Sequence, residues 1–286
     1  MNQEQLKQIE NAIVGLLKNE VGPIIKTKAH EKSKYVNKSN AVDLVTETDK
    51  QIEVLIKEKL GALYPDFKFI GEESYQPGVT KISDEPTFIV DPIDGTTNFI
   101  HDFPFSCCSI GLSINQEAVV GAVYNPHLGQ LFHGSKGNGA FLNDTKIVIA
   151  ERPLKLQQSV IGFEGGAERQ GSNFEVKMST LKNLLDAQKG FAHGFRSLGS
   201  AAMNMCYTAL GTYDAYWEGG CYAWDVCAGW CILKETGGMV VGGNVNEWEI
   251  PLDRRCYFAI RGGSSEDEQK KFVQEFWNQV PAELKY

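Results

Sequence analysis

The run Phe88-Ile89-Val90-Asp91-Pro92-Ile93-Asp94-Gly95-Thr96-Thr97-Asn98-Phe99 constrains this chain more than any other segment. Its apolar start reads as a buried strand, which puts Asp91 at the strand's carboxyl end. Pro92 fixes φ, Asp94 follows two residues later, and Ile93 between them offers only its backbone carbonyl. Two carboxylates and one carbonyl within four residues are hard oxygen ligands, suited to Mg²⁺ rather than zinc. Gly95-Thr96-Thr97 then opens a turn or helix whose free N–H groups can hold a phosphate. An ordinary D-P-x-D-G turn would explain the glycine but not two acids set straight after a buried strand.

Around this segment the hydrophobic period changes. Leu6, Ile9, Ile13, Leu16 and Leu17 recur at helical spacing and predict an amphipathic helix over 4–20. The stretch 26–40 has five lysines and no apolar period, which predicts a solvated loop or a loose hairpin. A second helix spans 49–60 on Ile52, Leu55, Ile56 and Leu60, with Thr46 or Thr48 as its cap and Tyr64-Pro65-Asp66 as its stop. Strands follow at 67–74 and 87–95, both ending in carboxylates, and 106–114 with 118–125 form a hairpin. Glycines at 134–139 mark a turn before another strand. They fit neither a dinucleotide fingerprint nor a P-loop. Helices are expected at 174–187, 200–210 and 226–238, with a strand and turn at 213–220. A capping box at Ser265–Glu268 opens the last helix. The mixture predicts a layered α/β (α+β) fold in one domain, 1–286, with a largely antiparallel half to about 150 and an α/β half after it.

Further acids stand where elements end or begin. Glu72-Glu73 follow Phe69-Ile70-Gly71; one of the pair can turn inward to a metal, although a surface Glu-Glu is the commoner outcome for such a pair read alone. Trp224-Asp225 precedes the 226 helix, where Asp is also a favoured N-cap. Leu198-Gly199-Ser200-Ala201-Ala202 opens a helix with small residues, which leaves room for a polyol or allows close helix packing. Glu218 lies seven residues before Asp225. A carboxylate without a metal can accept hydrogen bonds from two adjacent hydroxyls; the alternative is an exposed turn residue. His101 reads as a structural or dimer-contact residue. No G-x-S-x-G nucleophile elbow is present, so direct attack by water is favoured over a phospho-enzyme.

Together DPIDGTTNF, GEES and WD followed by a small-residue helix resemble the inositol monophosphatase family. The likeness runs in order from Asp43-Leu44-Val45-Thr46-Glu47-Thr48-Asp49 to Gly237-Gly238. The resemblance implies an alternating α-β-α-β-α sandwich, of the type shared with fructose-bisphosphatase, and a homodimer. It implies Mg²⁺ dependence with two or three ions, lithium inhibition and hydrolysis of myo-inositol monophosphates. By the same likeness Glu72, Asp91, the Ile93 carbonyl, Asp94 and Asp225 are metal ligands, and Asp49 with Thr96 activates the attacking water. Gly95-Thr96 would hold phosphate, while Gly199, Ser200, Ala201 and Glu218 would line the sugar-alcohol side. One ion at Glu72, Asp91 and Ile93 and another between Asp91, Asp94 and Asp225 would make a two-metal clamp for in-line displacement, with Glu72, Ile93, Asp94, Thr96 and Asp225 thereby touching substrate.

Composition narrows the partners. Lys and Arg total 28 against 36 Asp and Glu, a net charge of −8. That balance argues against a nucleic-acid groove and against a polybasic membrane anchor. The N-terminus is polar from its first residue, unlike a secretory signal. No stretch approaches the ~18 apolar residues of a membrane span. Seven cysteines without a C-x-x-C pair, flanked by apolar residues, read as buried free thiols, and a cytoplasmic setting is expected. Two rivals stay open: a phosphatase of a 3′,5′-bisphosphonucleotide or fructose 1,6-bisphosphate, for which Arg196 or the 26–38 lysines would hold the second phosphate, and a regulatory interaction protein.

Overall fold

A computed structural model describes residues 1–29, 35–37 and 44–286. Helix α1 (Gln3–Leu16) starts at Asn2, whose side chain takes the Gln5 N–H while Gln5 takes the Asn2 N–H, both at 2.9 Å. It buries Leu6, Ile9, Ile13 and Leu16, the predicted face. One π turn, Leu17–Val21, leads into α2 (Gly22–Ala29), where Pro23 has no N–H to continue the ladder. The basic stretch is therefore helical at Lys26–Ala29 rather than loop. Beyond it β1 (Tyr35–Asn37) pairs antiparallel with β2 (Leu44–Thr46), the hairpin alternative. Residues 30–34 and 38–43 of that stretch lie outside the described residues.

Helix α3 (Glu47–Leu63) starts two residues earlier than the pattern suggests, with Thr46 as cap. The first sheet then forms in sequence order. Its strands are β3 (Lys68–Gly71), β4 (Thr87–Asp94), β5 (Cys107–Ile114), β6 (Glu117–Asn125), β7 (Gln130–Ser135), β8 (Gly139–Leu142) and β9 (Thr145–Lys146), with the short α4 (Thr96–Ile100) after β4. Only β3 and β4 run parallel; every other pairing is antiparallel. The second half contributes β10 (Val160–Phe163), α5 (Ser172–Leu185), β11 (Gly194–Arg196), α6 (Ala201–Ala209), β12 (Ala215–Gly219), α7 (Ala223–Glu235), β13 (Met239–Gly242), β14 (Cys256–Ile260) and α8 (Glu266–Trp277). Its five strands lie in the order β11-β10-β12-β14-β13.

Side-chain packing stacks these elements in five layers, α-β-α-β-α. Ile13, Ile52 and Ile56 pack on Phe88, Val90 and Val120 of the first sheet. Met205, Val226, Ala228 and Ile232 of α6 and α7 fill the middle, between Val123 and Phe132 on one side and Tyr216, Tyr257 and Ala259 on the other. Val176, Leu184, Phe272 and Phe276 cover Ile161, Trp217 and Phe258 from outside. Helix α7 touches the first sheet almost without spacing: a Cβ at Gly121 would fall 2.1 Å from the Ala228 carbonyl oxygen. All seven cysteines are free and buried, as their neighbours suggested. Among the described residues no helix is long and apolar enough to cross a membrane.

Candidate active site

Two sequence placements need correction. Asp91 does not close its strand: β4 fills the predicted 87–95 run through Asp94. Along a regular strand, residues three apart face opposite sides. Here the ladder with β5 slips: Asp91 pairs with Ser109, whereas Asp94 pairs with Cys107, so three steps on β4 match two on β5. This bulge, at the proline that cannot donate to a ladder, turns both acids to one side. Asp225 likewise ends no strand and is not an N-cap. Helix α7 begins at Ala223, so Asp225 sits in its first turn and takes the Tyr222 N–H at 2.6 Å.

The result is a cluster in which Asp91, Asp94 and Asp225 each offer an oxygen within 4.8 Å of the others. Asp94 Oδ2 accepts the Ser200 hydroxyl at 2.5 Å and the Ala202 N–H at 2.8 Å. Burial nonetheless pushes its pKa up to about 6, with the Ser200 and Ala202 bonds opposing. For Asp91, burial comes first and the charges of Glu72, Asp94 and Asp225 follow; all raise its pKa well above the usual range. Asp225 is raised by burial, then by Asp94 and Glu72. Asp91 Oδ1 is buried and has no hydrogen-bond partner among the described residues. Crowded, mutually raised carboxylates with an unpartnered buried oxygen fit a hard divalent cation.

Glu72 leaves the end of β3 and faces the same cleft as Asp94 and Asp225. The backbone of its neighbour Glu73 donates to Glu53 at 2.7 Å. The Ile93 side chain is fully buried, and its carbonyl accepts the Thr96 hydroxyl at 3.1 Å. Thr96 also lies 3.4 Å from Asp49 Oδ1, so the pair separated by 47 residues does meet. Asp49 is fully buried, and its Oδ2 takes both the backbone N–H (2.9 Å) and the hydroxyl of Thr46. Gly95 precedes α4 at φ +87°, a left-handed conformation that a side chain would strain, and its Cα faces the Phe105 and Gly199 carbonyls.

Glu72, Asp94 and Asp225 open on a cleft of about 980 Å³, lined also by Gly199, Ser200, Ala201 and Glu218, while Asp49, Asp91, Ile93, Gly95 and Thr96 lie outside its lining. Glu218 lies on β12 rather than in an exposed turn, and it accepts the Tyr216 hydroxyl from the same strand face. Burial and then the Glu164 charge push its pKa up to about 8, with Tyr216 opposing. His101 stands exposed at the rim. The Cys107 thiol, 3.8 Å from Asp94, is held neutral by burial and then by the Asp94 charge, which leaves no thiolate nucleophile there.

A sequence model of the inositol monophosphatase family matches residues 5–280. The chain belongs to the inositol monophosphatase family. Inositol monophosphatase 2 of Saccharomyces cerevisiae is 61% identical to it, covering 100% of this chain and 99% of the relative. Inositol monophosphatase 1 of the same yeast is 53% identical over 98% of each. The fold matches the structure of an inositol monophosphatase from Anabaena with a TM-score of 0.76 and 28% identity, covering 97% and 98% of the two chains. The protein is accordingly a phosphatase.

Several residues that shape this inositol monophosphatase-family site had no role assigned from the sequence. Glu164, at the end of β10, accepts the N–H groups of Leu198 and Gly199 at 2.7 and 2.8 Å, the Asn204 amide at 3.0 Å and the Ser197 hydroxyl at 2.6 Å. Asn98 donates to the Phe105 and Leu198 carbonyls at 2.8 and 2.6 Å, tying α4 to the loop before α6. Arg196, considered from sequence as a phosphate ligand, lies exposed on β11 outside the cleft-lining residues. The cations that do line the cleft include Lys177 and Arg255. Arg255 lies beyond Gly237-Gly238, where the motif likeness in the sequence ends.

Proposed function

We propose that this phosphatase hydrolyses myo-inositol monophosphate to myo-inositol and phosphate by direct attack of water, without a phospho-enzyme. The observation that carries the reading is the convergence of Asp91, Asp94 and Asp225 beside the cleft. With Glu72 and the Ile93 carbonyl they would hold two or three Mg²⁺ ions. When bound, Mg²⁺ supplies positive charge that neutralises the phosphoryl and departing oxygens and acidifies water.

The remaining work falls to the chain. Backbone N–H groups at Gly95-Thr96, at the start of α4, hold the phosphate. Thr96 points its hydroxyl hydrogen at Asp49 or the Ile93 carbonyl, which leaves a lone pair to orient the attacking water. A new oxygen–phosphorus bond forms while the bond to the inositol oxygen breaks; the attacking water gives up one proton to solvent and the departing oxygen takes one from it, leaving hydrogen phosphate and inositol. Glu218 accepts hydrogen bonds from ring hydroxyls, and Ser200 fixes Asp94 while Gly199 and Ala201 leave room for the ring. Glu164 and Asn98 set the shape of that loop.

Lithium inhibition, a homodimer and a cytoplasmic setting complete the reading. Family membership supports the first two, and seven free cysteines support a reducing compartment. The test is kcat/KM for inositol monophosphate, β-glycerophosphate, fructose 1,6-bisphosphate and a 3′,5′-bisphosphonucleotide in Mg²⁺. Inositol monophosphate should lead the series. A bisphosphate in first place, or no hydrolysis at all, would overturn the assignment.

A further inference from the structure

The cleft has a second end that phosphate hydrolysis does not use. Lys177 on α5 is 1% exposed, yet it belongs to the cleft lining. Its ammonium donates to the Gly165 carbonyl at 3.2 Å and lies 3.8 Å from Glu168. Arg255 also lines the cleft, its guanidinium 3.8 Å from the centre of the Tyr222 ring, donating to the Gly220 carbonyl at 2.8 Å. The ring of Tyr286 lies near both cations, 5.3 Å from the lysine nitrogen and 5.5 Å from the Arg255 guanidinium carbon. The Tyr286 hydroxyl donates to Glu168. Its ring rests on Gly219 and Gly220 so closely that a Cβ at Gly219 would fall 2.8 Å from Cε2. Those glycines follow Glu218 directly, so the tyrosine walls the cleft beside the carboxylate assigned to the ring hydroxyls.

Lys177 and Arg255 offer cationic groups suited to a phosphate, but the aromatic ring occupies the space through contacts with both. We propose that Tyr286 is a specificity-determining residue: its ring shuts the Lys177–Arg255 end of the cleft, so that esters with a second phosphate are rejected. Removing the ring opens the cleft side of both cations, of which Lys177 keeps its 3.8 Å pair with Glu168. Specificity then rests on occlusion of a site that would otherwise bind the wrong substrate. The proposal rests on the inositol monophosphatase reading above.

The experiment is kcat and KM for inositol monophosphate and for fructose 1,6-bisphosphate in wild type, Tyr286→Ala, Tyr286→Phe, Tyr286→Leu and the double variant Tyr286→Ala with Lys177→Met. In Tyr286→Ala the bisphosphate-to-monophosphate ratio of kcat/KM should rise at least tenfold, through KM for the bisphosphate. Tyr286→Phe keeps the ring and should hold the ratio within twofold of wild type. Adding Lys177→Met to the alanine variant should return most of the gain. Tyr286→Leu, whose side chain still lines the wall but is smaller than the ring, covers the case in which the alanine variant fails to fold; a rise above threefold supports the proposal. A ratio within twofold of wild type in every folded ring-less variant overturns it, as does a gain that Lys177→Met leaves intact. Absent turnover of inositol monophosphate by the wild type would instead sink the underlying reading.

Discussion

Asp94 shows how the site opposes its own folding. Its carboxyl is buried and pushed up to about 6, against about 3.9 for an unperturbed aspartate. Since the fold favours the protonated form, the stabilising contribution is complete below about pH 4 and lost as pH rises past 6. The difference is on the order of 3 kcal/mol. Asp91 and Asp225 act in the same direction, and Glu218, pushed up to about 8, extends the window upward. The metal-free protein should therefore lose thermal stability between about pH 4 and 8, and Mg²⁺ should restore more of it at pH 8 than at pH 5. Asp94→Asn should abolish turnover yet hold or raise the metal-free Tm. A lower Tm would make Asp94 a structural acceptor for Ser200 and Ala202 instead. Glu218 separates substrate from chemistry. A hydrogen bond to a charged group is worth roughly 1.5–3 kcal/mol, so Glu218→Gln at pH 8.5 should lower kcat/KM for inositol monophosphate about 10- to 150-fold. β-Glycerophosphate should change less than about threefold; equal losses on both esters would move Glu218 into the catalytic shell.

At the scale of elements, what the chain revealed depended on whether a boundary had its own chemistry. Thr46 and Ser265 each cap a helix with an acid three residues on, so α3 and α8 were readable near their starts. Helix α7 has Tyr222 at its cap position, a residue with no capping preference, and the acid at 225 therefore looked like the boundary rather than the first turn. The bulge in β4 escaped because nothing in D-P-I-D states that the ladder with β5 slips by one. The acids were legible; the device that aims them together was not. Glu164 and Asn98 were invisible for a different reason. Asn98 stands inside DPIDGTTNF and Glu164 in no motif, but each works through contacts to backbone 34 and 100 residues away that no local pattern reports. Close packing at Gly121 gives this scale its own test. A methyl there would meet the Ala228 carbonyl, part of the helix that carries Asp225, so α7 must move. Gly121→Ala should cost about 1–3 kcal/mol of stability and lower kcat more than Mg²⁺-free Tm alone would explain. An unchanged kcat would show that α7 tolerates the shift without displacing Asp225.

Over the whole molecule, the middle helices bind the two sheets into one body. Side chains of α6 and α7 contact the first sheet on one face and the second on the other, and the clustered acids come from β4 and α7. We infer a single folding unit, so the site and the global fold should be lost together. Calorimetric unfolding should show one transition with equal calorimetric and van't Hoff enthalpies, shifted upward by Mg²⁺; two resolved transitions would divide the chain near residue 150 instead. The central claim, that the Asp91–Asp94–Asp225 cluster is the metal-dependent heart of an inositol monophosphatase, meets its most direct test in one measurement. It is phosphate release from inositol monophosphate against free Mg²⁺ after chelation, with Asp94→Asn run alongside. The account predicts no release in chelator, saturable recovery with added Mg²⁺, and none from the variant at any concentration. Turnover that persists in chelator, or an Asp94→Asn enzyme that Mg²⁺ fully rescues, would contradict it.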